Sequence, residues 1–328
     1  MMGVKSRRIL LLAIIAFIVL FTLFSLTVGS ASLDSPWRYV LHPSLEGNQH
    51  QIIWDIRFPR VISALLVGMA LGVAGALSQS ATNNPLSDPS IIGTSAGASL
   101  GAVIAVITGV ATIGTFPVTI FAVAGALVAS LITFSLAKSA MQLVIVGIAA
   151  SALISAIAGL LITMGNRPEA RSISFWSLGS LSLANSQTVD VLAPIVLIVS
   201  AIGWSISQRI DLLVLGDREV AHLGFNPRTI RLGAFIVISI LIGTAVSAVG
   251  SIAFLALAAP HITRYLIGPT NRPLIIGSAV IGAGLLLIAD TAARTIVPPY
   301  ELPIGLITSL IGAPMLIVML RKNSEVWR

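Results

Sequence analysis

The sequence predicts an all-α polytopic membrane protein, with about ten transmembrane helices in a single domain that covers residues 1–328. Two features lead to this prediction. Of the 328 residues, 56% are hydrophobic and only 9% are charged, and the mean hydropathy is +1.01. A soluble domain has about 25% charged residues, so this chain could not cover a surface in water. Its apolar residues also fall into runs of about 20, the length that crosses a bilayer as a helix.

Ten runs along the chain satisfy this length criterion. They lie near residues 9–30, 60–80, 92–109, 116–136, 141–164, 190–208, 229–249, 251–267, 274–295 and 303–320. The first run follows the basic stretch KSRR. It exceeds the roughly 7–15 apolar residues of a signal peptide, so we expect an uncleaved span. The third run is short and rich in Gly and Ser, and the eighth contains Pro260, His261 and Arg264, so these two are the weakest candidates.

Small residues and prolines predict how the spans pack and where they are interrupted. Gly68, Gly72 and Ala76 recur every four residues in the second run. In lipid this spacing lets helix backbones approach closely, so we expect dense helix packing rather than a ligand site. The stretch NNPLSDPS at 83–90 contains two prolines. Because proline lacks a backbone donor and restricts the residue before it, we expect an irregular link there.

The basic residues predict the orientation, because Lys and Arg favour cytoplasmic loops. With the N-terminus inside, the larger group falls on the inner side: Lys5, Arg7, Arg8, Lys138, Arg209, Arg218, Arg228, Arg231, Arg264, Arg272, Arg321, Lys322 and Arg328. The smaller outer group is Arg38, Arg57, Arg60, Arg167, Arg171 and Arg294. We therefore expect a multi-pass protein of the cytoplasmic membrane, with both termini and the loop at 211–226 in the cytoplasm.

The common sequence motifs for zinc-dependent catalysis and for nucleotide hydrolysis are absent from the sequence. There is no cysteine, and the four histidines do not have the spacing of the common zinc signatures. No phosphate-binding loop of the G-x-x-x-x-G-K-[ST] kind and no H-E-x-x-H stretch occurs. We predict that the protein is not an enzyme and holds no metal or cofactor. The net charge of +7 does not indicate nucleic-acid binding, because the basic residues are spread over short loops.

Ionisable residues inside membrane spans usually mark ion- or proton-coupled transport, and this chain has few. Asp290 is the exception, and it stands four residues before Arg294, on the same helix face. We expect a local ion pair near the outer end of the ninth span, with a proton-relay role as the alternative. The scarcity of such residues argues against an ion-coupled secondary transporter, which would need no ATPase.

The most polar interior stretch is LLVLGDREVAHLGFNPRTIR at 212–231. Gly216 and Gly224 can bound a short helix, and FNP then turns the chain. The polar or small residues of this stretch are Asp217, Arg218, Glu219, Ala221 and His222, and Leu215, Val220 and Leu223 supply an apolar side. Helices that lie on a lipid surface favour Lys and Arg. The mixed charge here better suits a cytoplasmic protein partner.

Three arginines on the predicted outer face form a second polar feature. WDIRFPR places Arg57 and Arg60 three residues apart at the entry to the second span, and Arg294 lies at the outer end of the ninth. Their planar guanidinium groups could receive carboxylates of a docking protein. They could equally hold the chain at the lipid headgroups. Position alone does not separate these two interpretations.

Six motifs together carry a family resemblance. They are RFPR at 57–60, GALSQSATNNPLSDPSIIGTSAGAS at 75–99, LGDREVAHLG at 215–224, GSIAFLALAAPHITRYLIG at 250–268, ADTAAR at 289–294 and ELPIGLITSLIGAPMLIVML at 301–320. In this order and spacing, the chain resembles the iron-siderophore and vitamin B12 permease family of ABC importers over nearly its whole length. One departure is Ala256, which replaces a glycine of the family pattern.

The resemblance implies a type II ABC importer permease fold and a set of partners. Two permease subunits, identical or sister subunits, would enclose a path. Two cytoplasmic ATPase subunits and an extracytoplasmic substrate-binding protein would complete the importer. The substrate would be a ferric siderophore, with haem and cobalamin as alternatives that share the motifs.

The resemblance also implies roles for both polar features. The loop at 211–226 would form the coupling helices that dock on the ATPase, through Asp217, Arg218, Glu219, Ala221, His222 and Gly224. Glu219, Ala221 and Gly224 also loosely resemble the E-A-x-x-x-G element of other importers. Arg57, Arg60 and Arg294 would match the arginines that pair with glutamates of the binding protein.

Overall fold

The computed structural model describes residues 4–45, 47–137, 140–165 and 167–322, and the regular elements within these ranges are all helical. The α-helices are α1 (Val4–Thr27), α2 (Pro36–Leu41), α3 (Asn48–Gln51), α4 (Phe58–Ala81), α5 (Thr94–Ile107), α6 (Phe116–Leu136), α7 (Ala140–Met164), α8 (Arg167–Ser177), α9 (Ser186–Asp211), α10 (Asp217–His222), α11 (Pro227–Val249), α12 (Leu255–Ile267), α13 (Asn271–Ala293) and α14 (Ile304–Lys322). Of the charges used to predict orientation, Lys138 and Arg328 lie outside the described residues.

Each of the ten predicted spans corresponds to a helix in the described chain. Seven helical segments are long and apolar enough to cross a membrane: Ile9–Thr27, Asn48–Ala81, Phe116–Leu136, Gln142–Met164, Ser186–Leu215, Pro227–Val249 and Asn271–Ala293. The second of them is continuous because a π-helical turn, Ile52–Arg57, joins α3 to α4. The other three predicted spans are α5, α12 and α14, with 14, 13 and 19 residues. The all-helical prediction is therefore confirmed.

The two spans that the sequence left weakest are shorter than predicted because each begins with irregular backbone. A 3-10 turn at Pro89–Ile92 and Gly93, with φ of 88°, precede α5. Gly250 and Phe254, with φ of 74° and 64°, flank the extended segment before α12. This left-handed region is uncommon for a bulky side chain. Irregular backbone within a membrane domain is tolerated where protein buries it or where it lines a cavity.

The core forms around α4, which is mostly buried and packs against α9, α11, α12 and α13. A Cβ atom at Gly68 would overlap the carbonyl oxygen of Gly282, and one at Gly72 would overlap that of Ser278. The predicted close approach of small residues is thus confirmed between α4 and α13. In contrast, α1 and α7 leave most of their apolar length exposed.

Contacts between helix termini define two ends of the bundle. At one end, which we call the α10 end, the end of α4 meets α11 through Arg231 and Ala81, and α9 meets α13 through Asp211 and Asn271. At the other, the α8 end, the segments after α8 and α11 and the start of α14 join through backbone hydrogen bonds. The loop at 211–226 and the three predicted outer arginines therefore lie at opposite ends.

Candidate functional site

The predicted short helix in the polar stretch is present as α10, and its residues other than Val220 are exposed at the end of the bundle. A 3-10 turn, Leu212–Leu215, leads to Gly216, whose φ of 97° starts the helix. Gly224, with φ of 83°, ends it. Asn226 then accepts hydrogen bonds from the first amides of α11, and Pro227 follows as its first residue.

One arginine fixes α10 to the bundle. Arg231 Nη1 and Nη2 donate to the two carboxylate oxygens of Asp217, at 2.8 and 2.6 Å. The same guanidinium donates from Nε to the carbonyl oxygen of Ala81, at 3.1 Å. The hydrogen bonds from Arg231 hold the pKa of Asp217 below its usual value. Arg231 thereby links α10, α4 and α11, and Asn83 adds a bond of 2.7 Å to the carbonyl of Leu213.

The outward surface of α10 combines charge with exposed apolar side chains. The predicted residues Asp217, Arg218, Glu219, Ala221, His222 and Gly224 are all exposed. Val214 and Leu215 before the helix are 73% and 55% exposed, and Leu223 after it is 55% exposed. Val220 alone of the predicted apolar side is fully buried. We call this surface, from Val214 to Phe225, the coupling face, after the role that the family resemblance implies for it.

The three arginines predicted at the outer surface are instead buried at the α8 end. Arg57, Arg60 and Arg294 are 4%, 6% and 2% exposed. In the described chain their guanidinium groups are therefore mostly covered, and docking of a partner protein on them stays a prediction. We call these three arginines with Asp290 and Glu301 the arginine cluster.

Two of the arginines hold the end of α1. Arg57 Nη1 donates to the carbonyl oxygen of Leu26, at 3.0 Å. Arg294 donates to the carbonyl oxygens of Ser25 and Val28, at 2.6 and 2.8 Å. The last carbonyl groups of a helix have no partner within it, and cations near a helix C-terminus are stabilising. These arginines are therefore already occupied by structural contacts.

The third arginine joins α4 to two carboxylates. Arg60 Nε lies 2.9 Å from Asp290 Oδ1, and Arg60 Nη1 lies 2.8 Å from Glu301 Oε2. Asp290 is fully buried, and its Oδ2 lies 3.4 Å from Arg294 Nε. The ion pair predicted between Asp290 and Arg294 is confirmed. The link to Arg60 was not predicted, because these residues are 230 positions apart in the chain.

A groove between α5 and α7 is a further candidate site that sequence reasoning missed. Its volume is about 560 Å³. The polar residues among those that line it are Ser90, Ser95, Ser99, Ser151, Ser155, Trp176, Ser177 and Ser251, and none of its described lining residues is charged. The lining runs along α7 from Ile148 to Ile162, which at 1.5 Å per residue is about 20 Å.

The groove connects the two irregular segments of the backbone. Ser90 belongs to the turn before α5, and Ser251 to the segment before α12. Ser151 Oγ donates to the carbonyl oxygen of Ser90 across the groove, at 3.2 Å. Serines four residues apart in two separate spans, at 95 and 99 and at 151 and 155, are the signal that could have found it.

Comparisons with known proteins identify relatives along nearly the whole chain. A sequence model of the FecCD transport family matches residues 10–322. The hemin transport system permease protein of Yersinia pestis is 35% identical over 332 residues, which cover 99% of each chain. The vitamin B12 import system permease protein of Vibrio vulnificus is 34% identical over 98% of this chain and 96% of its own length.

Two further relatives have the same character. An iron(3+)-hydroxamate import system permease protein of Bacillus subtilis is 35% identical, covering 96% of this chain and 83% of its own length. The solved structure of a metal-chelate type ABC transporter in an inward-facing conformation superposes with a TM-score of 0.85 at 29% identity. It covers 95% of this chain and 99% of its own.

Proposed function

This chain belongs to the FecCD transport family and is the permease subunit of an ABC importer, and we propose that it moves a ferric siderophore across the cytoplasmic membrane. A separate ATPase subunit supplies the energy. Two permease subunits, identical or sister subunits, enclose the path, and an extracytoplasmic binding protein delivers the substrate. In this proposal the α10 end and both termini face the cytoplasm, where most of the basic residues lie.

The observation that carries the proposal is the coupling face. Exposed apolar residues beside mixed charges are typical of a protein interface rather than of a lipid-facing helix. The face is also fixed to the bundle, because Arg231 bonds both Asp217 and the end of α4. A displacement of α10 by a closing ATPase would therefore be transmitted to α4 and α11 instead of moving the loop alone.

The serine-lined groove supports the proposed path. The groove runs along α5 and α7, from Ser90 at one end to Ser251 at the other, and offers hydroxyl groups along its length. Hydroxyl groups make hydrogen bonds of about 1 kcal/mol each, which suits a substrate that must leave as readily as it enters. The exposed length of α7 beside the groove is the surface that a second permease subunit would cover.

Relatives and the uncharged described lining of the groove support a metal-chelate substrate in this proposal. Relatives are named for hemin, vitamin B12 and iron(3+)-hydroxamate. Haem and cobalamin remain the alternatives to a siderophore in the proposal. Uptake of a panel of labelled chelates by proteoliposomes that contain the whole importer would separate them, and preference for haem or cobalamin would overturn the siderophore assignment.

Docking of the binding protein through Arg57, Arg60 and Arg294 stays a prediction. Their burial limits how it could occur, because each guanidinium already has partners in the chain. Glu301 is the most accessible partner, with 28% of its side chain exposed. A carboxylate of the binding protein could reach Arg60 by displacing Glu301.

The test of the coupling face is substitution of its exposed charged side chains. Arg218→Ala and Glu219→Ala should each lower ATP-driven uptake about tenfold, a loss of about 1.4 kcal/mol at an interface. The assay is uptake by sealed vesicles, together with co-purification of the ATPase. Arg272→Ala is the control, because Arg272 is an exposed arginine at the same end, outside α10.

Two outcomes would contradict the proposal. Unchanged uptake and ATPase binding in both variants would exclude a coupling role for these side chains. Uptake that persists without ATP but requires a proton gradient would instead identify an ion-coupled secondary transporter.

A further inference from the structure

A second large cavity lies at the α10 end, beside the coupling face. Its volume is about 580 Å³. It is formed where α4 and α6 end and where α7 and α11 begin. The described residues that line it are Ala81, Thr82, Phe134, Ser135, Ala137, Leu143, Asp217, Asn226, Pro227, Arg228, Arg231 and Phe235. Neither the proposed path nor the coupling face accounts for this cavity.

The charged lining of the cavity is positive on balance. Arg231 and Asp217 line it as a pair and neutralise one another. Arg228 supplies the remaining charge, and no carboxylate among the described residues forms an ion pair with it. Its guanidinium carbon instead lies 5.4 Å from the ring centre of Phe134, a cation–π contact that leaves its donors available. The first turn of α11, with its positive dipole end, lies at the same wall.

The part of the cavity wall next to Arg228 is apolar and continues onto the exposed surface of the bundle. Phe134, Leu143 and Phe235 form this wall. Beyond it, Leu131 and Leu136 on α6 are 45% and 62% exposed. A ligand that places an anionic group beside Arg228 would therefore find an apolar surface along α6 for an attached chain.

From this arrangement we propose that the cavity binds the headgroup of an anionic phospholipid, with the phosphate at Arg228 and the acyl chains along α6. Basic pockets between transmembrane helices on the cytoplasmic side are suited to such headgroups. The lipid would lie against Arg231 and Asp217, the pair that holds α10. It would thus stabilise the position of the coupling face in membranes that contain anionic lipid.

The test uses the purified importer complex reconstituted with mixtures of phosphatidylglycerol and phosphatidylcholine. Spin-labelled analogues of the two lipids report which is retained at the protein surface. Wild type should prefer phosphatidylglycerol, and Arg228→Gln should lower this preference about fivefold, the effect of one basic residue near a membrane surface. Arg228→Lys keeps the charge and should retain most of the preference.

The matched control is Arg272→Gln. Arg272 is likewise exposed at the α10 end and lies over the ring of Trp204, at 4.8 Å, but it does not line the cavity. Equal loss of preference in the Arg228 and Arg272 variants would overturn the proposal, because the effect would then be general surface charge. No preference in wild type would also overturn it.

Two further measurements complete the test. One distinguishes binding of the lipid from binding of free phosphate, and the other applies if the variant misfolds. If inorganic phosphate at millimolar concentration raises the melting temperature through Arg228, and the lipid preference is absent, the site binds free phosphate and the lipid proposal is wrong. If Arg228→Gln does not assemble, the wild-type complex still provides the test. Its preference should fall as added salt screens the contact, and recover when the salt is removed.

Discussion

Replacing Arg60 with alanine should destabilise the protein more than the same replacement of any exposed arginine. Arg60 contacts two carboxylates of very different exposure. Glu301 has 28% of its side chain exposed and can turn towards water, whereas Asp290 is fully buried. The cost therefore arises mainly from Asp290, which would be left with only Arg294, at 3.4 Å.

The magnitude follows from these contacts. Removing one partner of a buried ion pair costs about 3–5 kcal/mol, because the other charge stays buried without compensation. Arg294 still offers Asp290 partial compensation, so we expect the lower end, about 3 kcal/mol. Removing both charges should cost less than removing one, so Arg60→Ala combined with Asp290→Ala should recover part of the loss.

The assay is equilibrium unfolding of the purified protein in mixed detergent micelles, followed by circular dichroism. Arg38→Ala is the control, because Arg38 is an exposed arginine on the segment between α1 and α4, and surface substitutions change stability by about 0.5 kcal/mol or less. If Arg60→Ala is as stable as Arg38→Ala but fails to take up substrate, the structural role argued for Arg60 is wrong and docking is favoured.

Two further predictions concern the groove and the coupling face. Ser155→Phe should block uptake by filling the groove. Leu153→Phe, about 200° around the same helix, should leave uptake nearly unchanged. Equal effects of the two variants on uptake in vesicles would exclude the groove as the path. Because Arg231 holds the pKa of Asp217 below its usual value, their pair should persist at neutral and mildly acidic pH. It should be lost only as pH falls through that lowered pKa. Hydrogen exchange of the α10 amides should rise there, and Asp217→Asn should abolish this dependence on pH.

The positions of the spans could be predicted because their signal is local. An apolar run of about 20 residues can be recognised without knowing what surrounds it. The short helix at α10 was predictable for the same reason, since Gly216 and Gly224 bound it within a few residues. The starts of α5 and α12 were predicted less well, because Phe254 has a left-handed φ that only its tertiary surroundings can impose.

The contacts of the arginine cluster could not be predicted from the sequence. The chain position of Arg57, Arg60 and Arg294 was compatible with docking and with lipid contact. The structure adds a third role, since they close the end of α1 and neutralise Asp290. Nothing near these residues in the sequence indicates their carbonyl partners in α1, which lie 31 positions before Arg57 and 269 positions before Arg294.

By itself, the sequence determined that the chain is a helical membrane protein, where its spans lie, and which stretch carries exposed mixed charge. These properties depend on composition and on neighbours a few residues apart. The tertiary structure alone decided that the arginines are buried, that serines from α5, α7 and two irregular segments share one groove, and that Arg228 lines a cavity beside the coupling face. Each of these three properties depends on contacts between residues far apart in the chain, and the packing of the helices determines those contacts.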